Sequence, residues 1–197
     1  MADMLQPRSP QQDFRNTANV AVGLAGVFAV TSEVFLHRCF GHRYLGGKAG
    51  TALIVIPVFG ALCFPHHSQV GLTVFWCLYL LALLKAQGEA KQLRAKGVDI
   101  HSRYNGWPKK LKLGASEQRE RRVKTCEEPM VVAIMGALVY LGFDQPLGGY
   151  LMVSGCSLAF TNSLYRIKAE RQDDDMRDAM IEQQMMADRM DQFRRAG

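Results

Sequence analysis

The chain has 197 residues, 48% of them hydrophobic and 21% charged, with 24 Lys and Arg against 18 Asp and Glu. That length accommodates one or two domains, and the composition excludes a disordered tail or a collagen-like fibre. A mean hydropathy of −0.06 suggests a soluble protein, but the charges are segregated. Residues 49–84 contain no Asp, Glu, Lys or Arg, and 129–165 contain only Asp144. Runs of this length predict membrane segments. The expected class is an all-α, polytopic integral membrane protein with two helical hairpins, a preceding apolar helix and a long C-terminal cytoplasmic helix.

The N-terminal stretch 1–17 is polar, contains Pro7 and Pro10, and is expected to be extended or disordered. Residues 18–30 resemble the apolar region of a signal peptide but lack a small-x-small cleavage site, so 18–36 reads as an uncleaved membrane segment. Glu33 and His37 are four residues apart and share a helix face, with His42 close behind. No further ligands follow at metal-binding spacing, so an interfacial hydrogen bond or a headgroup contact is expected for this pair.

The run 49–84 is too long for one crossing and suits two short ones, since a span needs about 20 residues. Pro65-His66-His67-Ser68 breaks it, because proline lacks a backbone donor and disfavours helix before it. A first hairpin of 49–64 and 69–84 follows. The two histidines read as polar punctuation on a turn.

Lys85 to Gly97 is rich in helix formers and extends the third span, with Gly97 as a stop. The segment 100–110 is a loop, marked by Asn105-Gly106 and Pro108. Its His101, Arg103, Tyr104 and Trp107, with Lys109, Lys110 and Lys112, are expected to dock at the bilayer surface. Aromatic rings favour that interface and basic groups favour anionic headgroups. Asp99, His101 and Ser102 have the residue types of a nucleophilic triad but lie too close together in sequence to form one. Residues 115–128 return as a basic helix.

The run 129–165 divides at Asp144-Gln145-Pro146-Leu147-Gly148-Gly149, where the turn chemistry is strong. Pro129 suits the first turn of a helix, and Glu127 and Glu128 suit the positive end of its dipole. Beyond Tyr165 the chain reads as a long polar helix. Met176, Ala179, Gln183, Met186, Met190 and Phe193 follow the spacing of a coiled-coil seam. Of these, Met176, Met186, Met190 and Phe193 are the candidate partner or oligomer contacts.

Lysine and arginine crowd 85–124 and recur in 37–48 and after Tyr165, whereas the 65–68 and 144–149 turns have none. The positive-inside rule therefore places the basic segments and the C-terminus in the cytoplasm and both turns outside. If 18–36 crosses as well, the N-terminus is outside and the chain has five spans, the favoured reading; if it lies along the interface, the N-terminus is inside and there are four. The domain reading is a polar tail (1–17), a membrane region (18–84), a basic cytoplasmic segment (85–128), a second membrane hairpin (129–165) and a cytoplasmic helix (166–197).

The five cysteines are scattered without a CxxC pair, which indicates neither a disulfide framework nor a zinc site. Free thiols are expected, with Cys39 and Cys126 beside basic residues where palmitoylation is an option. Small residues at Gly23, Gly26, Gly60, Ala61, Gly136, Ala137 and Gly155 permit close helix approach. Walker A and GxGxxG motifs are absent. No catalytic set, metal or cofactor is expected.

The expected function is a non-catalytic membrane subunit, a scaffold docking cytoplasmic partners through its basic segment and tail helix. Its expected partners are anionic lipids and other protein subunits or further copies of itself, with nucleic acid ranked below. Two alternatives are a small channel or transporter lined by Thr73, Ser154, Ser157, Thr161 and Asn162, and an interfacial lipid-modifying enzyme using His101 and Arg103.

Overall fold

The structure is a computed structural model that describes residues 10–41, 44–97, 104–111 and 116–196. It is mostly helical (83%), with five helices among the described residues. Three of them, Asn16–Leu36, Val70–Ala95 and Glu117–Gly142, are long and apolar enough to cross a membrane. His101, Arg103, Lys112 and the Asp99–Ser102 group lie outside the described residues, as does the Phe193 side chain.

Helix α1 spans Pro10–Leu36. For residues 10–17 this overturns the expectation of an extended or disordered chain, while residues 1–9 lie outside the described residues. The fixed φ of proline suits the first helical position and its missing N–H would be unsatisfied there anyway, so Pro10 opens the helix. Directly after α1, strand β1 (His37–Arg38) pairs antiparallel with β2 (Trp107–Pro108), His37 opposite Pro108 and Arg38 opposite Trp107. Gly106 precedes β2 at φ +88, and a Cβ there would meet the His37 Cβ at 2.8 Å. Only glycine meets both demands.

Helices α2 (Gly47–Cys63) and α3 (Val70–Ala95) follow, joined by the 64–69 turn. Pro57 sits inside α2. It cannot donate to the carbonyl of Leu53, four residues earlier. The Trp76 indole of α3 donates to that carbonyl instead, at 2.9 Å. Further along, the Tyr79 hydroxyl donates to the Ala49 carbonyl at 3.0 Å. At the turn, the Gln69 amide donates to Gly60 O and Phe64 O at 3.1 and 2.8 Å, closing the C-terminus of α2. These three contacts run in opposite directions along the two helices, which are therefore antiparallel.

Helix α4 (Glu117–Gly142) is continuous and contains a π-helical turn at Val123–Glu127. The expected helix start at Pro129 is thus absent. A proline ring inside a helix crowds the carbonyl four residues back. Here that residue is Thr125, inside the wider π turn, and the helix passes through. Glu128 consequently sits within a helix and not at its dipole end.

Helix α5 (Gln145–Ala196) is one element, so no break separates the apolar segment from the expected tail helix. Asp144 ties its start to α3. One carboxylate oxygen accepts from Leu147 N at 2.8 Å and the other from Gly71 N at 3.1 Å. A single side chain thereby satisfies orphan donors at two helix N-termini.

Helices α4 and α5 pack backbone to backbone. A Cβ on Gly136 would stand 2.6 Å from Met152 N, one on Gly155 would stand 2.8 Å from Ala133 N, and one on Gly148 would fall on the Tyr140 backbone. Close approach of this kind is how apolar helices gain packing without a hydrophobic drive between them. An aromatic cluster fills the space around α1. Phe28 stands 5.9 Å from Phe59 and 5.5 Å from Tyr150, and Phe75 stands 5.7 Å from Tyr150.

The chain divides into two units, 1–161 and 162–197. The second is helical, carries an Arg166–Glu170 ion pair at 2.7 Å, and exposes Met176, Met186 and Met190. The methionines of the expected seam thus face outward.

The glycine contacts lead to a stability prediction. Gly148→Ala forces α4 and α5 apart and lowers stability by about 1–3 kcal/mol. Gly23→Ala, whose Cβ would meet nothing within 4 Å, has no such effect. Thermal unfolding of both variants in mild detergent checks the difference.

Candidate functional site

The last turns of α1 carry a run of polar residues in otherwise apolar sequence, Thr31, Ser32, Glu33 and then His37, and all four are buried. Burying a polar group without a partner is costly, so each must find one. The partners come from far along the chain. His37 Nδ1 lies 2.7 Å from the Asn105 carbonyl, and His37 Nε2 lies 2.7 Å from Glu128 Oε2. The two side chains are 0% and 1% exposed. Glu33 accepts from the Tyr44 hydroxyl.

Of the two expectations for Glu33 and His37, a hydrogen bond or a headgroup contact, the structure shows hydrogen bonds, made within the protein. His37 stands just past the end of α1, in β1, and points toward α4 and the 104–111 segment, whereas Glu33, still on α1, meets Tyr44. Glu128, which sequence reasoning assigned to a helix dipole, is the principal partner of His37.

The tautomer of His37 follows from its neighbours. A carbonyl only accepts, so Nδ1 carries the proton given to Asn105 O. The Nε2–Oε2 contact then holds one shared proton, placed either on the ring or on the carboxyl. Glu128 Oε1 is buried and accepts no hydrogen bond among the described residues.

Further contacts around this pair fix the loop. Lys124, in the π turn of α4, donates to Asn105 Oδ1 at 2.9 Å and to Glu120 Oε1 at 2.7 Å. Its ammonium stands 4.5 Å above the Tyr104 ring centre, a cation–π contact. The Tyr104 hydroxyl donates to Glu120 at 2.6 Å. Burial first, and then this bond to a carboxylate, holds the Tyr104 phenol well above its ordinary range. The π turn buries both Val123 and Lys124, just ahead of the buried Glu128. Such turns occur often at functional sites.

Lys109 closes the end of α1. Its backbone N–H donates to Leu36 O at 2.9 Å and its ammonium to Phe35 O at 2.7 Å. A cation on the last carbonyls of a helix is well placed. Burial pulls this ammonium below the usual lysine range; Glu89 opposes the shift, and Lys85 and Arg38 add to it. Trp107 is half-buried beside Arg38, its indole 3.4 Å from Leu111 O, and Arg38 donates to the same carbonyl at 3.1 Å. Lys110 is exposed. Of the expected docking set, Tyr104, Trp107 and Lys109 are thus tied into the protein and Lys110 is free to meet a surface.

Deeper along α1, hydroxyls join it to α5. Ser32 and Ser154 are 2.6 Å apart, Ser154 donates to Phe28 O at 2.8 Å, and the Tyr150 hydroxyl donates to Thr31 at 3.3 Å. Of the hydroxyls weighed as channel lining, Ser154 is buried here, Thr73 bonds Gln69 O and Thr161 bonds Ser157 O. Among the described residues no group of three His, Cys, Asp or Glu is arranged to hold a metal.

No family model matches the chain, and no curated protein or solved structure shows significant similarity to it.

Removing one partner of the buried pair leaves the other unsatisfied. His37→Ala or Glu128→Ala is expected to cost about 3–5 kcal/mol, whereas the double variant His37→Leu with Glu128→Leu costs less than either. Thermal unfolding of the three variants in detergent measures the non-additivity.

Proposed function

We propose that this protein is an integral membrane scaffold whose helices hold a rigid, basic platform against the cytoplasmic face of an anionic bilayer. The observation that carries the reading is the buried His37 bridge. It fastens the 104–111 segment to α1 and α4 at the end of the molecule where Lys and Arg are densest. The polar groups of His37, Asn105 and Lys124 are engaged in holding the segment in place.

The outer surface supports the membrane part of the reading. Leu141 is 84% exposed and Phe143 92%, and Ile54, Leu62, Leu78, Leu81 and Leu138 also face outward. An exposed apolar belt over buried serine, glutamate and histidine suits hydrocarbon better than water. The 64–69 and 143–146 turns come together through Gly71–Asp144 and Phe64–Gly149 contacts. They carry no Lys or Arg. We assign that end to the outside and the His37 end to the cytoplasm, with α1 to α5 making five crossings. Outward-facing basic groups such as Lys85 and Lys110 then meet headgroups. The methionine-bearing helix of the second unit is the natural contact for a protein partner, since methionine surfaces adapt to what they bind.

Two measurements test this. On a cysteine-free background, His66→Cys and Gln145→Cys react with an impermeant maleimide applied to intact cells and Lys91→Cys does not; the opposite pattern abandons the orientation. Each basic residue near an anionic surface contributes about 1 kcal/mol. Lys85→Gln with Lys110→Gln should therefore lower the preference for anionic over zwitterionic lipid in mixed micelles by roughly thirtyfold. An unchanged preference removes the platform from the reading.

A further inference from the structure

We infer that Arg38, Lys85 and Lys109 form a binding site for the phosphate group of one anionic phospholipid, whose acyl chain lies along the exposed apolar face of α3. The inference names the lipid contact of the proposed platform, and rests on that reading for the bilayer itself.

The short strand pair sorts its side chains. Opposed residues of an antiparallel pair share a face, and the next opposed pair takes the other face. His37 and Pro108 stand opposite each other and are buried, whereas Arg38 and Trp107 form the next pair and are half-buried. The histidine is thus turned inward, and the guanidinium and indole are turned outward. Arg38 engages one of its five N–H groups, through Nη2 on Leu111 O at 3.1 Å, and its Nε–H has no acceptor among the described residues. Lys109 follows directly on Pro108 and is exposed, with one of its three donors spent on Phe35 O at 2.7 Å. Lys85 is exposed and makes no hydrogen bond or ion pair among the described residues.

Helix α3 brings Lys85 to the other two cations. It packs against the end of α1 through Phe35, whose ring stands 5.5 Å from Phe75 and 6.4 Å from Tyr79. Burial first, with the charges of Lys85 and Arg38 adding and Glu89 opposing, holds the Lys109 ammonium below its usual range. Among the described residues Glu89 is the carboxylate that acts on this ammonium, against two further cations. An anion offsets the excess. The planar fork of an arginine beside lysine ammonium groups suits phosphate, whose oxygens accept from several directions.

The position of the cluster selects a lipid. Lys85 is the first charged residue after the uncharged run 49–84, and the apolar helix Asn16–Leu36 ends just before Arg38. The three cations therefore stand where hydrocarbon gives way to headgroups, a level that also suits the Trp107 ring. Below Lys85, Leu81, Leu78 and Val74 recur at helical spacing on its own face, and all three are exposed. From Val74 to Lys85 the helix rises about 17 Å, close to the roughly 15 Å of hydrocarbon in one leaflet. A free phosphate would use the cations alone, whereas a phospholipid uses the cations and the strip beneath them.

Native mass spectra of the full-length protein, offered equal amounts of phosphatidylglycerol and phosphatidylcholine in mild detergent, test the site. One phosphatidylglycerol should be retained, favoured about tenfold or more over phosphatidylcholine. Lys85 has no bond to lose, so Lys85→Gln leaves the fold alone and should lower the retention about fivefold. Arg38→Gln with Lys109→Gln should lower it further. Arg94→Gln removes the same charge from α3 beyond the screening distance of about 10 Å, and should leave retention within about twofold. Retention that ignores Lys85→Gln overturns the inference. So does an equal loss with Arg94→Gln, which would make the attraction diffuse. Sodium phosphate that strips the lipid where sodium chloride of equal ionic strength does not would assign the cations to a free phosphate, and also overturns it. A protein that retains no single lipid yet still prefers anionic micelles keeps the platform and loses the site, so the two failures are seen separately.

Discussion

A carbonyl oxygen cannot donate a hydrogen bond, and at Asn105 that restriction governs the chemistry of the most deeply buried ionisable pair in the protein. It fixes the His37 tautomer and leaves Nε2 to meet Glu128. The position of the 104–111 segment depends on that contact in turn. Gly106 is the residue that permits it sterically, since its Cα lies against His37. The strand pair is only two residues long on each side. Backbone bonding that short is weak by itself, so side-chain bonds from His37, Arg38, Lys109 and Lys124 help to give the segment a defined place.

The same requirement, that no polar group be left alone in an apolar setting, explains the rest of the architecture. Pro57 frees the Leu53 carbonyl and Trp76 claims it. The open end of α2 is closed by Gln69, and Asp144 serves two helix starts together. Within hydrocarbon each unsatisfied group costs several kcal/mol, so these bonds are conditions for the helices to exist where they do. They also explain why the turns at that end are short. Their side chains are engaged internally, with little left to present to a partner.

The segregation of charge in the sequence makes the helical class legible, because an uncharged run as long as 49–84 is hard to accommodate in any fold that water surrounds. Two local signals also survive: Gly97 closes α3 at φ +68, and Asn105-Gly106 marks the loop that carries β2. What escapes sequence reading depends on distance along the chain or on competing local rules. Pro10 and Pro129 each read as punctuation, yet one opens a helix and the other is absorbed by a π turn, because proline's effect depends on what surrounds it. The partnership of His37 with Glu128 spans 91 residues, and neither spacing nor periodicity encodes it. A usable hint is present all the same: Glu33 and Glu128 are carboxylates bordering apolar runs, and such residues are costly enough in a membrane to imply partners.

A well-packed apolar pair in place of His37 and Glu128 would be easier to bury and often as stable. Retaining an ionisable pair makes sense where the contact must be specific or must respond to something. Specificity alone is met by hydroxyls a turn or two deeper on the same helix, where Ser32 and Ser154 join α1 to α5 without any titratable group. The ionisable pair stands instead at the boundary between the apolar helices and the basic segment, where it adds to the other bonds that hold residues 104–111.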